Sequence, residues 1–366
     1  MAESFDTILS GGVLVNHDGE GRRDLGLRKG KIAEIGDLAR ASAAERVDCS
    51  GLHILPGVVD TQVHFREPGA VGIKVFMGSS TGSLLVADDA GIAEILSHTR
   101  RRAAFHAEDE ERLKERAGLR VAGDPSSHPV WRDAQTALLA TERLLRIARE
   151  KRALVHVLHV STADEMALLA QHKDIASVET TPHHLTLSDA DYLRIGALAQ
   201  MNPPVRDAAH RDGIWQALQQ GVVDILGSDH APHTLEEKAK PYPESPSGMP
   251  GVQTLVPIML DHVHAGRLTL QRFVDLTSAG PARLFGMAGK GRVAVGYDAD
   301  FTVVDLKRRK TIRNDWIASR CGWTPYDGRE VTGWPVGTFV RGAKVMWEGE
   351  LVTPATGAPM RFHAAL

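Results

Sequence analysis

Four residues of types that bind divalent metals, and one lysine, stand at or near the ends of short, apolar, strand-like segments. They are His64, Lys74, His106, His159 and Asp229. One histidine after a strand carries little information, but imidazoles, a lysine and a carboxylate at successive strand ends indicate one site assembled from distant parts of the chain. A (β/α) barrel builds its active site in this way, at the C-terminal ends of its strands. The sequence therefore predicts a metal centre of that kind.

Asp229 follows the apolar run Val-Asp-Ile-Leu-Gly, and an isolated carboxylate is costly to bury in such surroundings. A carboxylate satisfied only by backbone amides is one interpretation. Ser228, His230 and His233 crowd the same strand tip, however, and this crowding favours metal contact combined with proton transfer. We therefore expect Asp229 both to bind metal and to move a proton.

Side chains alternate along a strand, so His64 shares a face with Gln62. His156 and His159 lie three residues apart on another predicted strand and therefore face opposite sides. Because active sites lie toward the C-terminal tips of barrel strands, we assign His159 to the site. We expect His156 to pack against a helix.

Lys74 lies in the apolar segment Gly-Ile-Lys-Val-Phe, where a lysine needs a partner or loses its charge. Carboxylation by CO₂ would give a carbamate able to bridge two divalent metals, whereas an ion pair with an acid is the simpler solution. These residues alone do not decide between the two. Glu108 and Asp109 follow His106, and they are interpreted either as orienters of that histidine or as solvated acids.

Arg66 stands just after His64, where a guanidinium suits bidentate binding of a substrate carboxylate, although a surface ion pair fits equally well. His183 and His184 follow Thr-Thr-Pro at another strand end, and we do not assign them as ligands. Gly248-Met-Pro-Gly251 opens a predicted helix, and exposed N–H groups there can hold an anion or a carbonyl oxygen.

The chain has 366 residues, of which 43% are hydrophobic and 24% are charged, a profile typical of a globular protein. Its net charge of −3 gives no reason to expect nucleic acid or a membrane surface as a partner. We find no apolar run long enough to span a bilayer and no signal peptide. Because only Cys49 and Cys321 are present, we expect no disulfide framework and a cytoplasmic location.

Short strands separated by turns dominate both ends of the chain, and neither end is large enough to bury a good core alone. We therefore predict one small β-sandwich built jointly from residues 1–53 and 288–366. Strands and helices alternate over residues 54–287, which indicates a parallel α/β catalytic domain. Its predicted strands are 54–65, 72–76, 102–106, 153–160, 176–180 and 222–227. Its predicted helices are 89–100, 131–150, 162–172, 208–220, 251–265 and 269–277.

One junction conflicts with a complete barrel. About seven residues separate the strand that ends at His64 from the strand that begins at Gly72. Parallel neighbours need a crossover of roughly 10–12 residues or more, usually a helix. Only six strands are predicted, whereas a closed barrel of this type has about eight.

Together the motifs resemble the amidohydrolase superfamily, and within it the class I dihydroorotases of bacteria. The resemblance covers nearly the whole chain, and the combination of motifs is specific. The His-Phe-Arg form is typical of dihydroorotases, since the allantoinase and hydantoinase relatives lack the arginine there. The motifs are His64-Phe-Arg-Glu-Pro-Gly69, Lys74-Val-Phe-Met-Gly-Ser-Ser-Thr-Gly82, His106-Ala-Glu108, His159-Val-Ser161, Met201-Asn-Pro-Pro-Val-Arg206, Ser228-Asp-His-Ala-Pro-His233 and Gly248-Met-Pro-Gly-Val-Gln253.

This resemblance implies a (β/α)8 TIM-type barrel that interconverts dihydroorotate and N-carbamoyl-L-aspartate in pyrimidine biosynthesis. It implies that the five residues named first bind one or two Zn²⁺ ions, with Lys74 carboxylated and Asp229 also acting as general acid and base. The substrate contacts that it implies are Arg66, Asn202, His233 and backbone groups of Pro250 and Gly251. A homo-oligomer such as a dimer is expected, with a transcarbamoylase as one candidate partner.

Two departures from the family pattern matter. The first strand of the family usually carries His-x-His, but Gln62 replaces the first histidine here, and an amide oxygen is a poorer zinc ligand than imidazole. Two further strands, with an Asn-Thr-Asn-Pro substrate motif, have no counterpart between Gly69 and Lys74. Either a segment is missing from the recorded sequence, or it is truly deleted, or six strands close differently. We favour the first, because losing two barrel strands would expose core and edges.

Two other functions stay open beside the leading one. A hydantoinase-type cyclic amidase is the first, and Arg66 argues against it. The second is an inactive dihydroorotase-like scaffold, which Gln62 and the short junction favour and the remaining predicted ligands oppose. Turnover of dihydroorotate beside hydantoins separates the two enzymes, and zinc content near stoichiometry argues against a scaffold.

Overall fold

A computed structural model describes residues 4–64, 73–80, 84–354 and 357–363. The chain forms two compact units. One unit contains Met1–Asp60, Val256–Thr311 and Glu330–Leu366, and the other contains Thr61–Leu255 and Ile312–Arg329. The sequence-based boundaries at residues 53 and 287 differ from this division and stay a prediction.

The strands and helices of the described residues are as follows. The strands are β1 (Phe5–Ser10), β2 (Val13–Asn16), β3 (Gly19–Arg22), β4 (Asp24–Arg28), β5 (Lys31–Gly36), β6 (Ala43–Asp48), β7 (His53–Pro56), β8 (Lys74–Phe76), β9 (Ala103–His106), β10 (Val155–Val157), β11 (Ala176–Thr180), β12 (Ile225–Leu226), β13 (Phe301–Thr311), β14 (Glu330–Val340), β15 (Ala343–Trp347) and β16 (Glu350–Leu351). The α-helices are α1 (Asp89–His98), α2 (Glu110–Arg116), α3 (His128–Trp131), α4 (Ala134–Lys151), α5 (Ala163–Ala170), α6 (Pro182–Thr186), α7 (Asp191–Ile195), α8 (Ala208–Gln219), α9 (Leu235–Lys238), α10 (Leu255–His264), α11 (Leu270–Val274) and α12 (Gly280–Phe285).

The first unit is rich in strands and contains two sheets. Their strand orders are β5-β4-β1-β6 and β16-β15-β14-β13-β7-β2-β3. Strand β7 pairs antiparallel with β13, with Ile54 opposite Val303. Both ends of the chain therefore contribute strands to one sheet, and the buried rings of Phe301 and Phe339 pack against each other between β13 and β14. The finer assignment as a β-sandwich stays a prediction.

The predicted strand over residues 54–65 is wrong as a single element. Strand β7 ends at Pro56 and belongs to the seven-stranded sheet, and Val63 forms only an isolated bridge. Pro56 has no N–H to donate, and the glycine that follows it weakens a strand. The apolar run therefore stops early, and residue 65 lies outside the described residues.

The second unit contains a parallel sheet in the order β12-β11-β10-β9-β8, so successive strands of the chain are neighbours. Every residue of β10 and β11 is buried, as expected for parallel strands that are covered on both faces. The helices α1, α4, α5 and α8 lie in the crossovers between these strands. The alternating pattern thus forms the parallel α/β architecture that the sequence predicts.

His64 is contacted from both edges of this sheet. Val63 forms a parallel bridge with His230, and His64 N–H donates to the His230 carbonyl at 3.1 Å. At the opposite edge, Lys74 Nζ of β8 lies 3.3 Å from His64 Nε2. The eight-stranded barrel itself is not seen among the described residues, and the junction that the sequence marks as too short lies outside them.

Side-chain caps set where the connecting helices begin. Asp133 accepts from the Thr136 N–H at the start of α4, and Thr162 accepts from the Glu165 N–H at the start of α5. The predicted helix at 269–277 is instead α11, a π-helical turn over Asp275–Ala279 and then α12. None of the helices in the described part of the chain has the length and apolar character needed to cross a bilayer.

Candidate metal centre and active site

The described fold brings the side chains of the predicted metal ligands together near the C-terminal end of the parallel sheet, although Lys74 itself begins β8, in register with Ala104. Lys74 opens β8 and His106 closes β9, whereas His159 and Asp229 lie just beyond β10 and β12. His64 follows the bridge at Val63 and completes the group.

The polar atoms of four of these predicted ligands form two close pairs, and Lys74 lies beside one of the pairs. His64 Nε2 lies 2.9 Å from Asp229 Oδ1, and His106 Nδ1 lies 3.1 Å from His159 Nε2. Lys74 Nζ is 3.3 Å from His64 Nε2 and 3.8 Å from Asp229 Oδ1. Among the described residues, no three His, Cys, Asp or Glu side chains form a metal-binding group by themselves.

Two of the ligands have unusual backbone conformations. The φ angles of His159 and Asp229 are +37° and +45°, in the left-handed region that residues with a Cβ rarely adopt. Such conformations cost free energy and concentrate at functional sites. At both positions the chain turns sharply just after a buried strand, which brings the side chain to the tip of the sheet.

The protonation states of these groups fit a zinc site. Burial lowers the pKa of both His106 and His159, so each neutral ring presents an unprotonated nitrogen. Burial alone opposes ionisation of Asp229, but the Lys74 ammonium and the His64 hydrogen bond hold the pKa of its carboxyl well below its usual range. Neutral imidazoles and an ionised carboxylate are the ligand types that Zn²⁺ prefers, together with thiolates.

Gln62 occupies the position that the family pattern gives to a histidine. It is buried, and its Nε2 donates to Asp229 Oδ1 at 2.8 Å. The amide therefore supports the carboxylate by a hydrogen bond instead of presenting an imidazole. The hydrogen bond to Asp229 is thus what the structure has where the family pattern has the first histidine of His-x-His.

Glu108 is a buried partner of His106 and not a solvated acid. One Glu108 oxygen lies 2.9 Å from His106 Nε2, although the ring N–H does not point straight at it. Arg132 donates to both Glu108 oxygens, at 2.5 and 3.2 Å. Burial opposes ionisation of Glu108, but the Arg132 guanidinium holds the pKa of its carboxyl far below its usual range. Asp109 has a different role, because its side chain caps α2.

The predicted substrate contacts lie around two neighbouring cavities. A cavity of about 20 Å³ is lined by Asn202 and Gly248 together with four of the predicted ligands. Pro250 and Gly251 line a second cavity of about 260 Å³ with His230. Within the second cavity, His230 Nδ1 accepts from the Gly251 N–H at 3.1 Å.

His233 and Arg66 complete the predicted substrate contacts. The His233 carbonyl accepts from Trp323 Nε1 at 2.7 Å, and its Nδ1 lies 3.3 Å from Glu237 Oε2. Arg66 lies outside the described residues. The binding roles of all five predicted contacts stay predictions.

The prediction that His156 packs against a helix is wrong. Its buried ring contacts the neighbouring strand, with Nδ1 2.8 Å from Ser177 Oγ and Nε2 3.4 Å from Glu179 Oε2. Thr61 donates to the same Glu179 oxygen at 3.0 Å. Because His156 lies opposite Ser177 in the parallel pairing, polar side chains on both strands meet. Glu179 within the apolar strand Ala-Ser-Val-Glu-Thr was the sequence signal for this buried polar group.

One wall of the larger cavity comes from a segment that the sequence assigned to the β-rich end of the chain. Residues 317–319 line this cavity. Gln253 Nε2 donates to the Trp316 carbonyl at 2.7 Å, and the Ala318 N–H donates to Gln253 Oε1 at 2.8 Å. Gln253 thus fixes the segment against the cavity. No local pattern in the sequence indicates this long-range contact.

Comparisons with known proteins agree on one family. Residues 89–345 match the Amidohydrolase family. A dihydroorotase of Halobacterium salinarum is 37% identical over 296 residues, which cover 79% of this chain and 67% of that protein. Further dihydroorotases match at 28–35% identity.

An allantoinase of Deinococcus radiodurans is 30% identical over 445 aligned residues, which cover 98% of this chain and 99% of that protein. This alignment is longer than the 366 residues of the chain, so the relative carries residues without a counterpart here. Among solved structures, an L-hydantoinase (dihydropyrimidinase) from Arthrobacter aurescens superposes with a TM-score of 0.90. It is 28% identical, and the match covers 95% of this chain and 98% of that one.

Proposed function

Because this chain belongs to the amidohydrolase family, we propose that it is a dihydroorotase that interconverts dihydroorotate and N-carbamoyl-L-aspartate in pyrimidine biosynthesis. Dihydroorotases predominate among its curated relatives. The observation that carries the proposal is the presence of the His64–Asp229 and His106–His159 pairs near the C-terminal ends of parallel strands, with Lys74 beside the first pair.

The five predicted ligands would hold Zn²⁺, with Lys74 carboxylated. When bound, the metal supplies a positive charge that polarises a carbonyl and makes a bound water acidic near neutral pH. Lys74 Nζ lies 3.3 Å from His64 Nε2 and 3.8 Å from Asp229 Oδ1, and Lys74 and His106 line the same small cavity. This position supports its carboxylation, since a carbamate could bind metal on either side.

Asp229 is assigned the proton transfer. An aspartate carboxyl is ordinarily ionised at neutral pH, and the Gln62 and His64 contacts support that form, so it can accept a proton from the attacking water and deliver it to the departing ring nitrogen. Gln62 and His64 both contact Oδ1, and we therefore assign the mobile proton to Oδ2. The strained backbone at Asp229 supports this role, because it holds the carboxylate at the strand tip.

The substrate carboxylate is assigned to Arg66 and Asn202. Asn202 lines the same cavity as Asp229, which supports its contact with a ligand that reacts there. Pro250 and Gly251 line the adjoining space of about 260 Å³, which is large enough for a six-membered ring. A ring held at both places would keep its scissile amide aligned with the carboxylate of Asp229.

Hydantoinase and allantoinase activities are the main alternatives. The L-hydantoinase shares the fold at a TM-score of 0.90, and the allantoinase is 30% identical. Identity favours dihydroorotase, since the Halobacterium salinarum protein reaches 37%. Arg66 in the His-Phe-Arg motif supports the same choice.

A substrate panel tests the proposal. The purified protein is loaded with zinc, and initial rates are measured with dihydroorotate, dihydrouracil, hydantoin and allantoin. We expect kcat/KM for dihydroorotate to exceed the others by about 100-fold or more, because a site with hydrogen-bonding groups for a carboxylate discriminates strongly against rings that lack one. Preferential turnover of hydantoin or allantoin would transfer the assignment to that relative. Stoichiometric zinc without turnover of any ring would favour the scaffold.

The cellular setting follows from this function as a further proposal. We propose a cytoplasmic homo-oligomer, with a transcarbamoylase as candidate partner. Light scattering of the purified protein, alone and mixed with an aspartate transcarbamoylase, measures both associations.

A further inference from the structure

A buried histidine outside the ligand group contacts a predicted substrate residue. His128 begins α3 and is almost fully buried, with 2% of its surface exposed. Its Nε2 lies 2.9 Å from the carbonyl oxygen of Met201 and 2.9 Å from Oδ1 of Asn202. This one ring nitrogen therefore connects α3 to the segment that lines the catalytic cavity.

These two contacts fix the tautomer of His128 and the orientation of the Asn202 amide. The Met201 carbonyl can only accept a hydrogen bond, so Nε2 must carry the proton. The Asn202 atom that faces the same N–H must then be the acceptor, which is the amide oxygen and not the nitrogen. The Nδ2 amino group of Asn202, with its two N–H donors, is consequently left for a ligand in the cavity that Asn202 lines.

The opposite side of the His128 ring supports this tautomer. Nδ1 lies 3.4 Å from the hydroxyl of Tyr242, and that hydroxyl accepts from Trp131 Nε1 at 2.6 Å. A hydroxyl that accepts from Trp131 can direct its own proton to Nδ1, which matches a ring protonated on Nε2. Both aromatic rings also meet the imidazole edge to face, at interplanar angles of 79° and 87°.

The neighbouring backbone is held from a second side. His184 is buried, and its Nε2 lies 3.2 Å from the carbonyl oxygen of Pro203. Burial lowers the pKa of His128 to about 3 and that of His184 to about 4, so both rings are neutral at physiological pH. The segment from Met201 to Pro203 is thus fixed by two uncharged imidazoles, and the orientation of Asn202 does not change near neutral pH.

We propose that His128 is a positioning residue that orients the Asn202 amide, so that its N–H groups face the carboxylate of the substrate. The inference rests on the proposed function, in which Asn202 binds that carboxylate. It adds a role for a residue that does not touch the substrate. Its specific consequence is that loss of His128 weakens ligands that carry a ring carboxylate and leaves ligands without one nearly unaffected.

The test compares three variants with two probes. His128→Phe keeps a ring of similar size but removes the N–H donor, His128→Gln keeps a side-chain amide donor, and Tyr242→Phe removes only the hydroxyl behind the ring. Orotate and uracil differ by the carboxylate, and calorimetry gives the dissociation constant of each with zinc-loaded protein. Steady-state kinetics with dihydroorotate give kcat and KM separately.

We expect H128F to weaken orotate binding by about 10- to 100-fold, the range for losing hydrogen bonds to a charged group. Uracil binding should change by less than about threefold, and KM for dihydroorotate should rise more than kcat falls. H128Q should recover most of the orotate affinity, and Y242F should lose less than H128F. Equal losses for orotate and uracil would overturn the positioning role.

A spectroscopic measurement on the unmodified protein keeps the inference testable even if H128F does not fold. Nitrogen-15 NMR of histidine-labelled protein distinguishes the two neutral tautomers, and we expect the His128 signals to show the proton on Nε2 at pH 7. A proton on Nδ1 would overturn the inference. A wild-type protein without dihydroorotate activity would instead remove the proposed function, whatever the tautomer.

Discussion

At the scale of single residues, the predicted ligand His106 contacts a buried carboxylate, that of Glu108. Glu108 lies against its Nε2 edge, which leaves Nδ1 directed at His159. Partners of this kind fix the orientation of a ligating imidazole and raise its basicity. The double contact of Arg132 keeps Glu108 ionised, so the negative charge beside His106 is permanent at neutral pH.

Glu108→Gln should reduce zinc affinity by about 10- to 100-fold, the range found when such partners of ligating histidines are removed. The amide keeps the volume of the side chain but loses its charge. Competition with a chromogenic chelator measures the dissociation constant without relying on activity. Glu111→Gln is the matched control, because Glu111 lies three residues further along the chain and is exposed on α2. An unchanged zinc affinity in E108Q would show that His106 is oriented by other contacts.

Gln62→His should raise zinc stoichiometry from about one ion toward two per chain, because it adds an imidazole, a better zinc ligand than an amide. Gln62 already approaches Asp229 Oδ1 at 2.8 Å, so a histidine there would reach the same region. Elemental analysis after dialysis against a defined zinc concentration measures the change. Equal zinc contents in Q62H and the wild-type protein would mean that Gln62 does not limit the second metal.

At the scale of elements, the loops after the strands bring the site residues together by close backbone contact. Gly248 has a φ angle of +140°, and a Cβ placed on it would lie 2.4 Å from the Ala231 carbonyl oxygen. Lys238 reinforces this loop, because its buried Nζ donates to the carbonyls of Pro246 and Gly248 at 2.8 and 3.1 Å. Both features hold the Gly248 segment against the loop that carries Asp229.

Gly248→Ala should lower the free energy of unfolding by about 2–4 kcal/mol, since it combines backbone strain with a steric clash. The displaced loop should also reduce kcat/KM. Gly221→Ala is the control for conformation alone, because Gly221 has a φ angle of +82° and no neighbour near its Cβ position. Urea unfolding of both variants measures the difference, and equal losses would attribute the whole effect to backbone strain.

At the scale of the whole molecule, buried titratable groups make stability depend on pH. The folded-state pKa values of His128 and His184 are about 3 and about 4, below the ordinary value of 6.5. The unfolded chain therefore binds more protons than the folded one, and this stability is lost as pH falls below about 6.5. Burial raises the pKa of Glu165 from 4.5 to about 7, so this residue acts in the opposite direction between those values.

Burial also lowers the pKa values of His106, His159 and His183, so histidines outnumber the one carboxyl. The net loss of stability should be at least about 1.4 kcal/mol per pH unit between about pH 6.5 and pH 4.5. Urea unfolding of metal-free protein at several pH values measures the slope. Glu165→Gln should steepen it, because the opposing group is removed while Thr141 and Thr162 keep a hydrogen-bond partner. A slope that stays flat in the wild-type protein would contradict the assigned neutral histidines.

The short junction after His64 is also a property of the whole molecule. An intact mass clearly above 39.7 kDa would mean that a segment is absent from the recorded sequence, and a complete barrel would then be expected. A mass of 39.7 kDa would establish a true deletion and favour the scaffold over catalysis.

The sequence by itself was enough to predict a cyclic amidohydrolase and the parallel α/β pattern of strands and helices. Metal-binding residue types at strand ends are local signals, and so are Asp and Thr caps before helices, because each depends on residues close together in the chain. The alternation of strand-like and helix-forming segments predicted a strand at 176–180 and helices at 131–150 and 208–220, and the structure has them at Ala176–Thr180, Ala134–Lys151 and Ala208–Gln219.

Only the tertiary structure decided how these residues pair. The contacts of His128 with Asn202, of Glu108 with Arg132 and of Gln253 with Ala318 join residues that are distant in the chain. The surroundings of the His156 side chain could not be predicted, because alternation along a strand shows which residues share a face but not what covers that face. The structure shows that the ring contacts Ser177 on the neighbouring strand. Long-range packing sets these contacts, and no periodicity within one segment encodes them.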